Sequence, residues 1–112
     1  MKEEILIKTA KEYFYGGEDE FNKNRYNSAV VLFFKSLVAF ADLYILQKTG
    51  NTPSSHTERF GIAKESFPEL YDLLDKDFPF YQSSYIQIMS KELAEVIKND
   101  AEFMAEKTKT KL

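Results

Sequence analysis

The chain has no cysteine, no tryptophan and a single histidine, and only four glycines and three prolines interrupt its 112 residues. Without cysteine there is no disulfide framework, no thiolate zinc site and no catalytic thiol. One imidazole would leave a zinc ion to be held mostly by carboxylates, so no metal site and no cofactor are expected. The opening stretch MKEEILIKTAKEY lacks the uncharged apolar core of a signal peptide, and a cytoplasmic protein is expected. Positive charge is also short. Fifteen Lys and Arg against eighteen Asp and Glu leave a net charge of −3 and a pI near 5.2, which argues against a domain-wide clamp for nucleic acid. The basic run KTKTKL, residues 107–112, is expected to be a solvated tail beyond one domain spanning 1–106.

What the chain does have is apolar and aromatic: 44% hydrophobic residues, with ten Phe and seven Tyr, enough to build a packed core. Apolar residues recur at three- and four-residue steps and nowhere alternate over strand length, so the reading is all-α. Leu6, Ala10, Tyr13, Phe14, Gly17 and Phe21 form one stripe of a first helix over Lys2 to Phe21, ended by the turn chemistry of NKNRYN. A second helix runs from Tyr26 to Thr49, stopped by Gly50 and Asn51. Ser54 or Ser55 can cap a short third helix, and Pro68 suits the first turn of PELYDLLDKDF. FPFYQSSY, residues 78–85, reads as an aromatic-rich helical turn or short helix, and Ser90 as the cap of a last helix whose face is Leu93, Val96, Ile97, Asp100, Ala101 and Met104. The expected architecture is an up-and-down antiparallel bundle of four to five helices.

The second helix poses a packing problem. Across AVVLFFKSLVAFADLYIL, residues 29–46, only Lys35, Ser36 and Asp42 break the apolar run. A Lys and an Asp well inside argue against a membrane span. A helix apolar nearly all round must be covered nearly all round, and three partner helices are expected to cover one side and leave the other short of cover. A homodimer is therefore expected, with Phe33, Lys35, Phe40 and Asp42 as interface candidates. Lys35 and Asp42, seven apart, would pair with each other's copies across a two-fold axis.

Residues 16–21, GGEDEF, approximate the GGDEF signature of cyclic-dinucleotide synthases. That signature needs a β-hairpin in a larger α/β domain, whereas here fifteen residues of helical periodicity precede it, and the spelling has one acid too many. The stretch is read as a helix end with Gly17 facing inward and a solvated acidic run.

From Ala10 to Met104 the layout resembles the HEPN family of small helical bundles. NKNRYNSAVVLFFKSLVAFADLYI resembles that family's turn and second helix, with Arg25 and Tyr26 before Ala29 and a long apolar run. TGNTPSSHTERFGIAKESFP resembles its loop in which Ser-His opens the next helix, and FPFYQSSYIQIMSKELAEVIKNDAEFM its final portion. The resemblance implies a bundle of four or five helices, a homodimer, and a function among RNA cleavage, nucleotide-linked regulation and toxin–antitoxin pairing, often beside a small nucleotidyltransferase. The family's ribonucleases carry Arg, four to six residues, then His. No Arg lies in the seven residues before His56, and Arg25 is 31 positions upstream, so no catalytic residue is carried over.

Candidate phosphate or nucleotide contacts are Arg25, His56, Arg59, Tyr81 and Tyr85. His56 and Arg59, three apart, share one face at a helix start. Arg25 and Arg59 are the only arginines among fifteen basic residues, and Arg grips phosphate or carboxylate bidentately. Tyr81 and Tyr85, four apart, could stack a base. The leading expectation is a HEPN-like regulatory protein without nuclease chemistry. Two alternatives stay open: a divergent metal-independent ribonuclease using His56 and Arg59, and a helical protein-binding module, for which no 34-residue repeat is present.

Overall fold

The computed structural model describes residues 2–112, among which five helices and no strand occur: α1 Lys2–Asn22, α2 Tyr26–Thr49, α3 His56–Ser66, α4 Pro68–Ser83 and α5 Lys91–Lys107. The caps follow from side-chain chemistry. Ser55 Oγ accepts from the Glu58 N–H and Ser90 Oγ from the Leu93 N–H, each at 3.1 Å. Gly50 takes the left-handed conformation at φ 82° that closes α2, its N–H donating to the Leu46 carbonyl at 2.8 Å. One boundary differs from the sequence expectation. The aromatic stretch from Phe78 is neither a separate turn nor a short helix of its own, since α4 continues through Pro79 to Ser83 and only Ser84 and Tyr85 lie beyond it. An interior proline costs a helix about 3 kcal/mol, and packing of Phe78 and Tyr81 on Phe34 of α2 offsets it.

Contacts fix the helix directions. Ser36 Oγ donates to the Ala10 carbonyl at 2.8 Å and Phe21 meets Tyr26, so α1 runs antiparallel to α2. Tyr44 meets Phe67 at one end and Phe34 meets Tyr81 at the other, so α4 is also antiparallel to α2. Asn27 bonds Met89 and Gln47 bonds Thr108, which sets α5 parallel to α2. The long helices therefore alternate up and down along the chain, with short α3 crossing between α2 and α4.

α2 is the axis of this bundle, and the chain shelters it unaided. No residue from Ala29 to Leu46 is exposed, and Phe33 and Phe40 are wholly buried. The burial argument for a homodimer thus fails, and Phe33 and Phe40 belong to the core rather than to an interface. Small residues explain the miscount. A Cβ at Gly17 would sit 2.6 Å from the Phe33 ring, and Ala10, Ala94 and Ala101 are fully buried. Backbones separated by such residues approach closely and wrap more of the central helix than widely spaced neighbours would. By length and composition α2 could cross a membrane, but 61% of its apolar window is buried inside this chain.

The basic tail is not simply solvated. Thr108 is buried, its carbonyl accepts from Gln47 Nε2 at 3.1 Å, and the Thr110 N–H returns to the Ala105 carbonyl at 2.9 Å. These bonds satisfy carbonyls that the end of α5 leaves free.

One buried acid stands out at the α4–α5 seam. Asp77 is wholly buried and neither carboxyl oxygen has an ordinary hydrogen-bond partner. Lys76 Nζ lies 3.7 Å from it but donates to Asp100 Oδ2 at 2.8 Å. Burial, then the hydrogen bond and charge of Asp100, push the Asp77 carboxyl up to about 8 against the opposing pull of Lys76. Burial among apolar side chains and the nearby Asp100 charge thus hold the Asp77 proton well above the usual carboxylate range, favouring the neutral acid at pH 7.

Candidate functional site

Lys35, Val38 and Asp42 fall on one stripe of α2, and that stripe is the floor of a cleft of about 350 Å³. α1 supplies Tyr13, α3 supplies His56 and Arg59, and α4 supplies Phe78 and Tyr81. Four residues proposed on sequence grounds for two different purposes thus share one site with Tyr81.

An Asp inside an apolar helix needs a partner, and Asp42 finds one in its own chain. Arg59 Nε donates to Asp42 Oδ1 at 2.6 Å and Nη2 to Oδ2 at 2.9 Å, with both side chains near 14% exposed. This two-pronged bond is the strong form of ion pair. It corrects two expectations. Asp42 is not free to meet Lys35 of a second copy, and the Arg59 fork is already filled, so it cannot grip a phosphate without giving up its carboxylate. Lys35 instead lies 5.8 Å from the centre of the Tyr13 ring, with no carboxylate within 4 Å among the described residues. It is the uncommitted cation of the cleft.

His56 opens α3 beneath the cap of Ser55. Its ring packs on Phe78 at 4.2 Å and Phe60 at 4.6 Å. Nδ1 lies 3.4 Å from Arg59 Nη1, and Nε2 is buried with no partner. Burial first, and the Arg59 charge second, lower the His56 pKa from 6.5. The imidazole stays neutral because a second proton would face a guanidinium on one side and find no acceptor on the other. A general acid–base needs a nitrogen that reaches substrate; here one nitrogen is engaged and the other is covered.

The cleft wall is aromatic. Phe34 and Tyr81 stack at 4.8 Å with planes 21° apart, and Phe78 continues the wall at 6.3 Å and 27° from Tyr81. Tyr81 Oη shares a hydrogen bond with Tyr85 Oη at 3.2 Å. That bond, then burial, raises the Tyr81 pKa above its usual 10.0 and keeps the phenol neutral.

Two predicted contacts lie elsewhere. Arg25 is 62% exposed at the α1–α2 turn, 3.6 Å from Glu20. Tyr85 is 70% exposed and lines a different groove with Asn27, Val31 and Leu32. Sequence reasoning missed Tyr13, Phe34 and Phe78, which look like ordinary core aromatics until α1 and α4 are placed over α2. The Asp42–Arg59 pair did leave a signal: a buried-looking acid and one of only two arginines. The chain matches no family model, and no curated protein matches it.

Proposed function

We propose that this protein is a HEPN-like regulatory protein that binds a nucleotide in the cleft between α1, α2 and α4, and that it is not a ribonuclease. One observation carries the reading: a stacked aromatic wall stands beside a single uncommitted ammonium, Lys35. A base has a π-face to lay against such a wall, a contact worth about 1–3 kcal/mol, and a phosphate would meet Lys35. The engaged Arg59 and neutral, covered His56 support binding without cleavage. The resemblance adds a small nucleotidyltransferase as the expected partner, one that would supply or consume the bound nucleotide.

Titration with nucleoside mono- and triphosphates tests this directly, and the absence of tryptophan lets tyrosine emission report on the cleft. Saturable binding is expected. A charge-assisted contact of about 1.5–3 kcal/mol means Lys35→Gln should weaken nucleotides about tenfold or more while leaving the matching nucleosides unchanged. No saturable binding at millimolar nucleotide would refute the proposal. RNA cleavage in EDTA that disappears in His56→Ala would favour the ribonuclease reading instead.

A further inference from the structure

Three consecutive residues of α4 combine a buried acid, a wall of the cleft and a weak point in the helix. Asp77 is wholly buried, and neither carboxyl oxygen has a hydrogen-bond partner. Phe78 lines the cleft, its ring 4.2 Å from His56 and 6.0 Å from Phe34. Pro79 sits inside the helix and offers no N–H to the Asp75 carbonyl four residues back, so the helix yields most easily here. The stretch from Asp77 to Ser83 lies between two anchors. Leu74 is buried in the core on one side, and the Ser84 carbonyl accepts from Asn27 Nδ2 at 2.9 Å on the other. Between Phe78 and Ser84 no residue is fully buried.

We infer that residues 77–83 are a proton-linked gate on the cleft: closed while Asp77 holds its proton, and swinging out about Pro79, with Phe78 and Tyr81, when that proton leaves. A carboxylate is poorly kept where Asp77 lies. No donor bonds either oxygen, and Lys76 Nζ, 3.7 Å away, is given to Asp100 at 2.8 Å. Water is then the remaining partner, and the way to water runs through the residue two places on. Among the described residues the charged groups that act on Asp77 are Asp100 of α5, which favours its proton, and Lys76 of its own helix, which opposes it. Closed, Asp77 releases the proton near pH 8; solvated, it does so near 3.8. Opening therefore grows easier with each pH unit between those values and levels off above pH 8. His56, packed on Phe78, works in the opposite sense, since an opened wall lets the imidazole take a proton, but only below pH 6.5. Above that, Asp77 acts alone. The regulatory consequence rests on the nucleotide reading: a base stacked on the closed wall and the Asp77 proton would each favour the other. The gate itself does not rest on it.

Native-state amide exchange of the ligand-free full chain, from about pH 6.5 to 8.5 and corrected for the base-catalysed chemical rate, tests the gate without any ligand. The Phe80, Tyr81 and Gln82 amides should be less protected than those of Leu37 and Phe40 in the core of α2. Their protection should fall about twentyfold across this range, flattening above pH 8. In Asp77→Asn the fall should vanish. Asp100→Asn, which keeps the acid but removes its neighbour's charge, should start the flattening at lower pH, and Pro79→Ala should raise protection at these three amides. Segment amides as well protected as the α2 core, protection constant with pH, or a fall that persists in Asp77→Asn would each overturn the inference. Nucleoside is then added at saturation, uncharged and so indifferent to Lys35, and should raise protection at the same amides. A nucleoside that binds without doing so overturns the coupling. No binding at all refutes the nucleotide reading and leaves the gate standing.

Discussion

Replacing Asp77 by asparagine should stabilise this protein, and increasingly so as pH rises. The side chain is wholly buried, and its carboxyl is moved from 3.8 to about 8. Below the unfolded value of 3.8 both states hold the proton and Asp77 is no burden. Between about pH 4 and pH 8 the unfolded chain releases the proton while the folded chain keeps it, so stability falls as pH rises. Each tenfold change in proton affinity is worth about 1.4 kcal/mol, which puts the full loss on the order of 5 kcal/mol above pH 8. Asparagine has nearly the same shape and needs no proton. Urea unfolding of wild type and Asp77→Asn at constant ionic strength, from pH 4.5 to 8.5, reads the effect. The difference between them should widen by roughly 1 kcal/mol per pH unit, because the folded wild type binds about one extra proton. Taking the difference removes the opposing contribution of His56, whose lowered pKa costs stability as pH falls below 6.5. A difference flat in pH, or a variant less stable throughout, would refute the account of Asp77 as a buried neutral acid.

Adjacent glycines should respond oppositely to alanine. At Gly17 the new methyl would fall 2.6 Å from the Phe33 ring, wedged in the core, whereas at Gly16 it meets only Leu32 Cδ1 at 3.4 Å. Thermal unfolding should find Gly17→Ala destabilised by about 1–3 kcal/mol and Gly16→Ala unchanged or stabilised by up to about 1 kcal/mol. Asp42→Ala leaves Arg59 largely buried without its carboxylate, and urea denaturation should show a loss of about 3 kcal/mol. Asn27→Ala removes three hydrogen bonds from the 84–89 connection. Its expected cost is about 2–3 kcal/mol, with faster amide exchange at Met89 as the local sign.

The cleft was legible in parts but not as a site. His56, Arg59 and Tyr81 were singled out by residue type, while Lys35 and Asp42 were noticed because charge is costly in an apolar helix. Their meeting depends on how α3 is set against α2, where Arg59 reaches Asp42, and no local pattern encodes that placement. The role assigned to Asp42 went wrong for the same reason: its partner lies 17 residues away, beyond the reach of helical periodicity.

Sequence alone settled most of the elements, the run of α4 through Pro79 excepted, because capping, proline placement and glycine stops act over a few residues. Ser55, Ser90, Pro68 and Gly50 each set a helix boundary where their own chemistry requires it. Tertiary structure alone decided what those elements shelter. How fully α2 is covered depends on how near its neighbours come, and that distance is set by pairs such as Gly17 and Phe33 that meet only after folding. The charge state of Asp77 and the isolation of Lys35 are likewise properties of surroundings, and surroundings exist only once the helices have packed.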